Sequence, residues 1–165
     1  MNVLSRVLRL LSIVVWVGGL IFFAFVLAPT AFRVLPSTHL AGSVVGATLN
    51  ILHPMGEFCA AFFLAGTIVL LRSASLRTRR LLGTEGVLVI LMAAATFYVQ
   101  TRIVPAMERD RIAAGGDVDA APRNNPARLD FERLHPISEK VEGAALFLGL
   151  GVVVLMGFEQ DHVTR

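Results

Sequence analysis

Long uncharged runs divided by short arginine-bearing gaps set the pattern of the chain. No charge falls between Leu10 and Ala28, a run of roughly the 20 residues that a helix needs to cross the hydrocarbon core of a bilayer. Further apolar runs end near Leu71, Val104 and Phe158. The pattern predicts an all-α membrane protein with four transmembrane helices, at about residues 10–30, 51–71, 81–104 and 136–158, in a single integral-membrane domain covering 1–165. Arg6 and Arg9 ahead of an apolar run also fit a signal peptide. The run is longer than the usual ~7–15 residues, however, and passes Pro29 without a clear cleavage site. It reads as a retained first span.

Polar and breaker residues mark the boundaries. Pro29 and Pro36 bracket residues 30–35 as a helix exit and short turn. Ser37 is the expected N-cap of a helix running to Leu71. At about 1.5 Å per residue that helix exceeds a bilayer crossing, so its first part projects or it bends at Pro54. Residues 105–125 hold Gly115-Gly116, Pro122 and charges of both signs, and predict a polar outer loop. Asn125-Pro126 then opens the last helix, an N-cap followed by proline at the first helical position.

Charge placement adds an orientation. Arg72, Arg77, Arg79 and Arg80 occupy one gap with no acid among them. With Arg6 and Arg9 they predict that this loop and both termini lie in the cytoplasm, in an inner (plasma) membrane. Hydrophobic residues make up 55 % and charged residues 16 % of the chain, with a mean hydropathy of +0.71. Soluble domains carry about 25 % charge, so the lipid bilayer is the expected partner. The net charge of +3 does not signal nucleic acid, because the arginines sit in the gaps rather than on one face. A homo-oligomer is compatible with the pattern. Cys59 is the only cysteine and reads as a small core residue.

The chain also repeats itself. Leu52-His53-Pro54-Met55-Gly56-Glu57 returns as Leu134-His135-Pro136-Ile137-Ser138-Glu139, 82 positions on. Pro29 with Ala31 and Arg33 loosely answers Pro105 with Met107 and Arg109 at a spacing of 76. Two helical hairpins of the same orientation are expected, related by a pseudo-two-fold axis along the membrane normal and packed as a bundle. Trp16-Val17-Gly18-Gly19 and Gly42-x-x-x-Gly46 read as helix-packing notches.

The repeated block carries the candidate chemistry. Positions i and i+4 share a helix face, so His53 lies above Glu57 and His135 above Glu139. The same stripe on one helix collects Gly42, Gly46 and Asn50, and on the other Arg128, Glu132 and Glu142. A carboxylate facing lipid is costly, so both stripes should face inward. The expected result is a cluster of His53, Glu57, His135 and Glu139 toward the outer end, joined by Arg102 and Glu142. Such a cluster supports three readings. One is a structural network that fixes helix register. Another is a cofactor site, with His53 and His135 as axial ligands of haem b, or all four residues holding a divalent metal. The third is a binding or translocation path for a small ligand or ion. No enzyme chemistry is expected. His39 and His162 read as solvated, and Met55, Met92, Met107 and Met156 are too scattered for a copper site.

Trp16-Val17-Gly18-Gly19-Leu20-Ile21-Phe22-Phe23, Ala28-Pro29-x-x-Phe32-x-x-Leu35-Pro36 and Phe131-x-x-Leu134-His135 together resemble the transmembrane-protein-205-like family, in bacteria small four-helix membrane proteins of unassigned function. The resemblance covers nearly the whole chain and implies the same topology, with no catalytic residue to carry over. Trp-x-Gly-Gly-x-x-Phe also resembles copper-resistance-D-type proteins and the membrane protoporphyrinogen oxidase family. That likeness implies a haem- or metal-binding alternative, and the absence of any histidine from helix 1 argues against the oxidase.

Overall fold

A computed structural model describes residues 2–161, with side chains from Val3 to Phe158; His162 lies outside the described residues. Helix α1 (Asn2–Phe22) passes through a π turn (Phe23–Leu27) into α2 (Ala28–Val34). Helix α3 (Thr38–Leu71) returns, and α4 (Leu76–Tyr98) passes through a second π turn (Val99–Ile103) into α5 (Val104–Ala113). Helix α6 (Pro126–Asp161) completes the chain. Among the described residues four helical rods are long and apolar enough to cross a membrane: Val3–Val34, Thr38–Leu71, Leu76–Ala113 and Pro126–Phe158. The chain is thus a multi-pass membrane protein. The shortest rod, 32 residues, measures about 48 Å, against a hydrocarbon thickness near 30 Å. Each rod therefore projects beyond the lipid.

The caps follow from local chemistry. Ser37 Oγ accepts from Leu40 N–H at 3.2 Å, and Ser75 Oγ accepts from Thr78 N–H at 3.4 Å. Asn125 Oδ1 accepts from Ala127 N–H at 2.9 Å, with Pro126 at the first helical position.

Two prolines behave otherwise than expected. Pro29 does not end a helix and Pro105 does not open a loop. Both rods continue, and the polar segment outside helices shrinks to residues 114–125. A proline ring in an α-helix collides with the carbonyl four residues back and leaves it without a donor. Here the residue ahead of each proline bonds five residues back instead: Ala28 N–H to Phe23 O, and Val104 N–H to Val99 O. The widened turn makes room for the ring, and the helix goes on.

α1 packs chiefly on α3, and α4 on α6; α3 also packs on α4, and α1 meets α6. The core centres on Trp16, Phe63, Val89, Met92 and Val152, each at most 1 % exposed. Glycine lets these helices close up. A Cβ on Gly56 would stand 2.4 Å from Trp16 Nε1, and one on Gly149 would stand 2.6 Å from Val17 Cγ2. Gly19 likewise accommodates Leu52, whereas Gly18 faces open space. Gly42 and Gly46 are not a packing notch: a Cβ on either meets nothing within 4 Å. Phe22, Phe58, Phe62, Phe97 and Phe147 cover the periphery and are exposed, as a lipid-facing surface requires.

At the end of the molecule that holds the 72–75 turn, Arg9 ion-pairs with Glu85, and both are buried completely. The Arg9 guanidinium lies 4.9 Å above the Phe63 ring centre. Arg9 is therefore not a flanking charge at the membrane edge. It is an interior group tied to a carboxylate on α4.

Candidate functional site

The opposite end, which holds residues 35–37 and 114–125, contains a chamber of about 880 Å³, near the upper limit of ordinary ligand pockets. Its walls come from every rod and from the loop. Leu20, Phe23, Ala28 and Phe32 supply one side, and Gly42, Gly46, Leu49 and Asn50 of α3 a second. Met107, Glu108 and Arg111 of α5, Asp117 to Asp119 of the loop, and His135, Glu139, Glu142 and Leu146 of α6 complete it. Gly42 and Gly46 help to keep it open, since no side chain grows from them into the space.

The loop is folded rather than splayed. Gly115 and Gly116 take φ values of 89° and 95°, which favour glycine, and Gly116 N–H closes on Arg111 O at 2.9 Å. Arg128 then donates to the carbonyls of Asp119 and Ala121, at 3.0 and 2.8 Å. Thr38 donates to Asp119, which ties the loop to the start of α3.

Below the chamber, the His53 ring is 1 % exposed and has both nitrogens engaged. Nδ1 lies 2.7 Å from Gln100 Oε1, and Gln100 Nε2 donates to Asn50 Oδ1 at 3.0 Å. That orientation of the amide makes Nδ1–H the donor. Nε2 lies 2.6 Å from Glu142 Oε1. A carboxylate facing a nitrogen at that distance shares one proton with it, whether as imidazolium and carboxylate or as imidazole and acid. The second carboxylate oxygen, Glu142 Oε2, is buried and has no hydrogen-bond partner among the described residues.

The structure distributes the expected cluster differently. His53 meets Glu142, not His135. His135 pairs along its own helix with Glu139 at 3.6 Å, and both side chains are substantially exposed on the chamber wall. Glu57 is half-buried, off the chamber wall, with Oε1 buried and lacking a hydrogen-bond partner among the described residues. Arg102 is exposed and belongs neither to the network nor to the wall. Among the described residues no group of three or more His, Cys, Asp or Glu is arranged to hold a metal ion, so His53, Glu57, His135 and Glu139 do not form one coordination shell. For an axial role His53 would have to give up Gln100 or Glu142. The physical reason is axial placement: the acid that reaches His53 is Glu142, about one turn along α6 from Glu139.

Gln100 is the functional neighbour that the repeat does not reveal. Its one signal in the sequence is that it is the only side-chain amide in the run Leu81–Val104.

Residues 11–111 match the model of a protein family described as a domain of unknown function, DUF4149. The match takes in His53, Glu57 and Gln100 and stops short of α6. No curated protein and no solved structure matches the chain.

Proposed function

We propose a small-ligand-binding role for this chain, which belongs to the DUF4149 family, with the chamber as the site and translocation through it as the extension of that role. The observation that carries the reading is the chamber itself, about 880 Å³ with the partly buried side chain of Glu142 on its wall. A network serving only helix register gains little from an adjacent empty volume. Interhelical polar contacts in membranes contribute on average about 0.6 kcal/mol each, which is small against the cost of placing His53 and Glu142 within a spanning bundle.

The architecture proposed with it is a four-helix bundle of two repeated hairpins. Its support is positional. The π turns at 23–27 and 99–103, the prolines at 29 and 105, and the paired Arg9 and Glu85 all fall 76 apart. The likeness to transmembrane-protein-205-like proteins belongs with this reading. The chamber end faces outward and both termini face the cytoplasm of an inner membrane, because Arg72, Arg77, Arg79 and Arg80 gather at the other end. In a Cys59→Ala background, Arg77→Cys is expected to resist membrane-impermeant maleimide on intact cells and to react after permeabilisation. Labelling of intact cells would reverse the orientation.

The binding role is tested with three probes of nearly one size: 2-phenylethylammonium, 2-phenylethanol and phenylacetate. At least one is expected to raise the unfolding temperature of nanodisc-embedded protein saturably. The effect should vanish in Gly46→Trp, which fills the chamber from a position with free space beside it. Three flat titrations would remove the binding role.

A further inference from the structure

We infer that the chamber selects a small amphipathic ammonium ion, its N–H groups directed to the Glu142 carboxylate and its apolar body resting against Leu20, Phe23, Leu49 and Leu146. The inference rests on the reading of the chamber as a binding site and adds the class of ligand. Three observations carry it.

The first is the orientation of Glu142. Its side chain is 14 % exposed, His53 holds Oε1 at 2.6 Å, and Oε2 is buried without a hydrogen-bond partner among the described residues. His53 anchors the carboxylate through one oxygen, and the exposed part of the side chain lies on the chamber wall. A carboxylate has more acceptor sites than one imidazole fills, and a charged donor makes the strongest bond to it.

The second is the balance of charge on the walls. Glu108, Asp117, Asp119, Glu139 and Glu142 line the chamber, against a single guanidinium, that of Arg111. Arg111 is already bound to Glu108 through two bonds, from Nε at 2.8 Å and Nη2 at 2.6 Å. Among the described residues the Asp117 carboxylate accepts from the backbone N–H groups of Asp119 and Ala120, and the Asp119 carboxylate from the Thr38 hydroxyl, so neither is held by a cation. The remaining titratable groups on the wall are His39 and His135, the latter 3.6 Å from Glu139. Among the described residues no guanidinium or ammonium on the wall is left over for an anion, and an acidic chamber concentrates cations.

The third is the apolar share of the lining. Leu20, Phe23, Phe32, Leu49, Phe131 and Leu146 face the same space as the carboxylates. A bare metal ion has no use for that surface. A hydrocarbon or aromatic body attached to an ammonium group gains from it.

The same three probes decide the matter on the full-length protein in nanodiscs. 2-Phenylethylammonium is expected to bind about tenfold more tightly than 2-phenylethanol, with phenylacetate weakest. In Glu142→Gln the ammonium should lose its tenfold advantage over the alcohol, and a circular-dichroism spectrum unchanged from wild type reports an intact fold. An ammonium that binds Glu142→Gln as it binds wild type overturns the inference, as does phenylacetate or the alcohol binding wild type most tightly. In the last case the binding role stands and only the ligand class fails. If Glu142→Gln does not fold, the order of the three probes on wild type decides alone: ammonium first supports the inference, and any other order overturns it.

Discussion

Glu85→Ala is expected to lower the stability of the detergent-solubilised protein by about 3–5 kcal/mol, measured by denaturant titration. Arg9 and Glu85 are fully buried, and their charges meet between α1 and α4. Removing the carboxylate takes away the α4 acid that Arg9 meets, while its guanidinium stays over the Phe63 ring and its alkyl stem against Gly66. The guanidinium cannot discard its charge by losing a proton. Restoring an apolar interior should reverse most of the loss, because a buried pair replaced by hydrophobic residues of similar size is commonly neutral. Arg9→Met combined with Glu85→Leu should thus fall within about 1 kcal/mol of wild type. A single substitution costing less than that would mean the pair is hydrated, and the interior assignment would fail.

Gly56→Leu should cost about 3 kcal/mol or more through overpacking. The first carbon of any side chain at position 56 would stand 2.4 Å from Trp16 Nε1 and 2.6 Å from Cε2. Trp16 is 1 % exposed and packed in the core, so the indole has nowhere to retreat. α1 and α3 must separate, and they share the main contact of the first half of the chain. Gly42→Ala and Gly46→Ala provide the contrast on the same helix. Their new methyl groups meet nothing within 4 Å, so stability should hold or rise by up to about 1 kcal/mol from helix propensity. Equal losses at positions 56 and 46 would contradict the packing described.

The elements legible in the sequence are those with local causes. Apolar runs and capping residues announce themselves within a few positions, which is why Ser37 and Asn125 could be read as helix starts. Pro29 and Pro105 were misleading because a local reading treats proline as a stop, while a five-residue hydrogen bond upstream absorbs it. Arg9 was misleading for the opposite reason. The charge rule asks which side of a membrane a cation lies on, and its partner Glu85 is 76 residues away.

The candidate site divides in the same way. The inward stripes of α3 and α6 follow from helical periodicity, and both His53 and Glu142 stand on them. The height of one helix against the other does not follow from periodicity, and symmetry alone would set like against like. The actual partner of His53 lies about a turn further along α6, and Gln100 reaches it from a π turn that no pattern of apolar residues encodes.

Those π turns have a genetic consequence. A π turn holds an extra residue relative to the α-helix around it, so each is in effect a one-codon insertion that the rod tolerates without breaking. Beyond it every side chain is rotated by about 100° from where an uninterrupted helix would put it. Met107 and Arg111 stand on the chamber wall in that rotated frame. A one-codon deletion within 99–103 would leave the hydropathy of the span almost untouched and turn α5 about its axis, moving those residues off the wall. Across relatives, in-frame length changes at these two places would trade one chamber wall for another while preserving a membrane span.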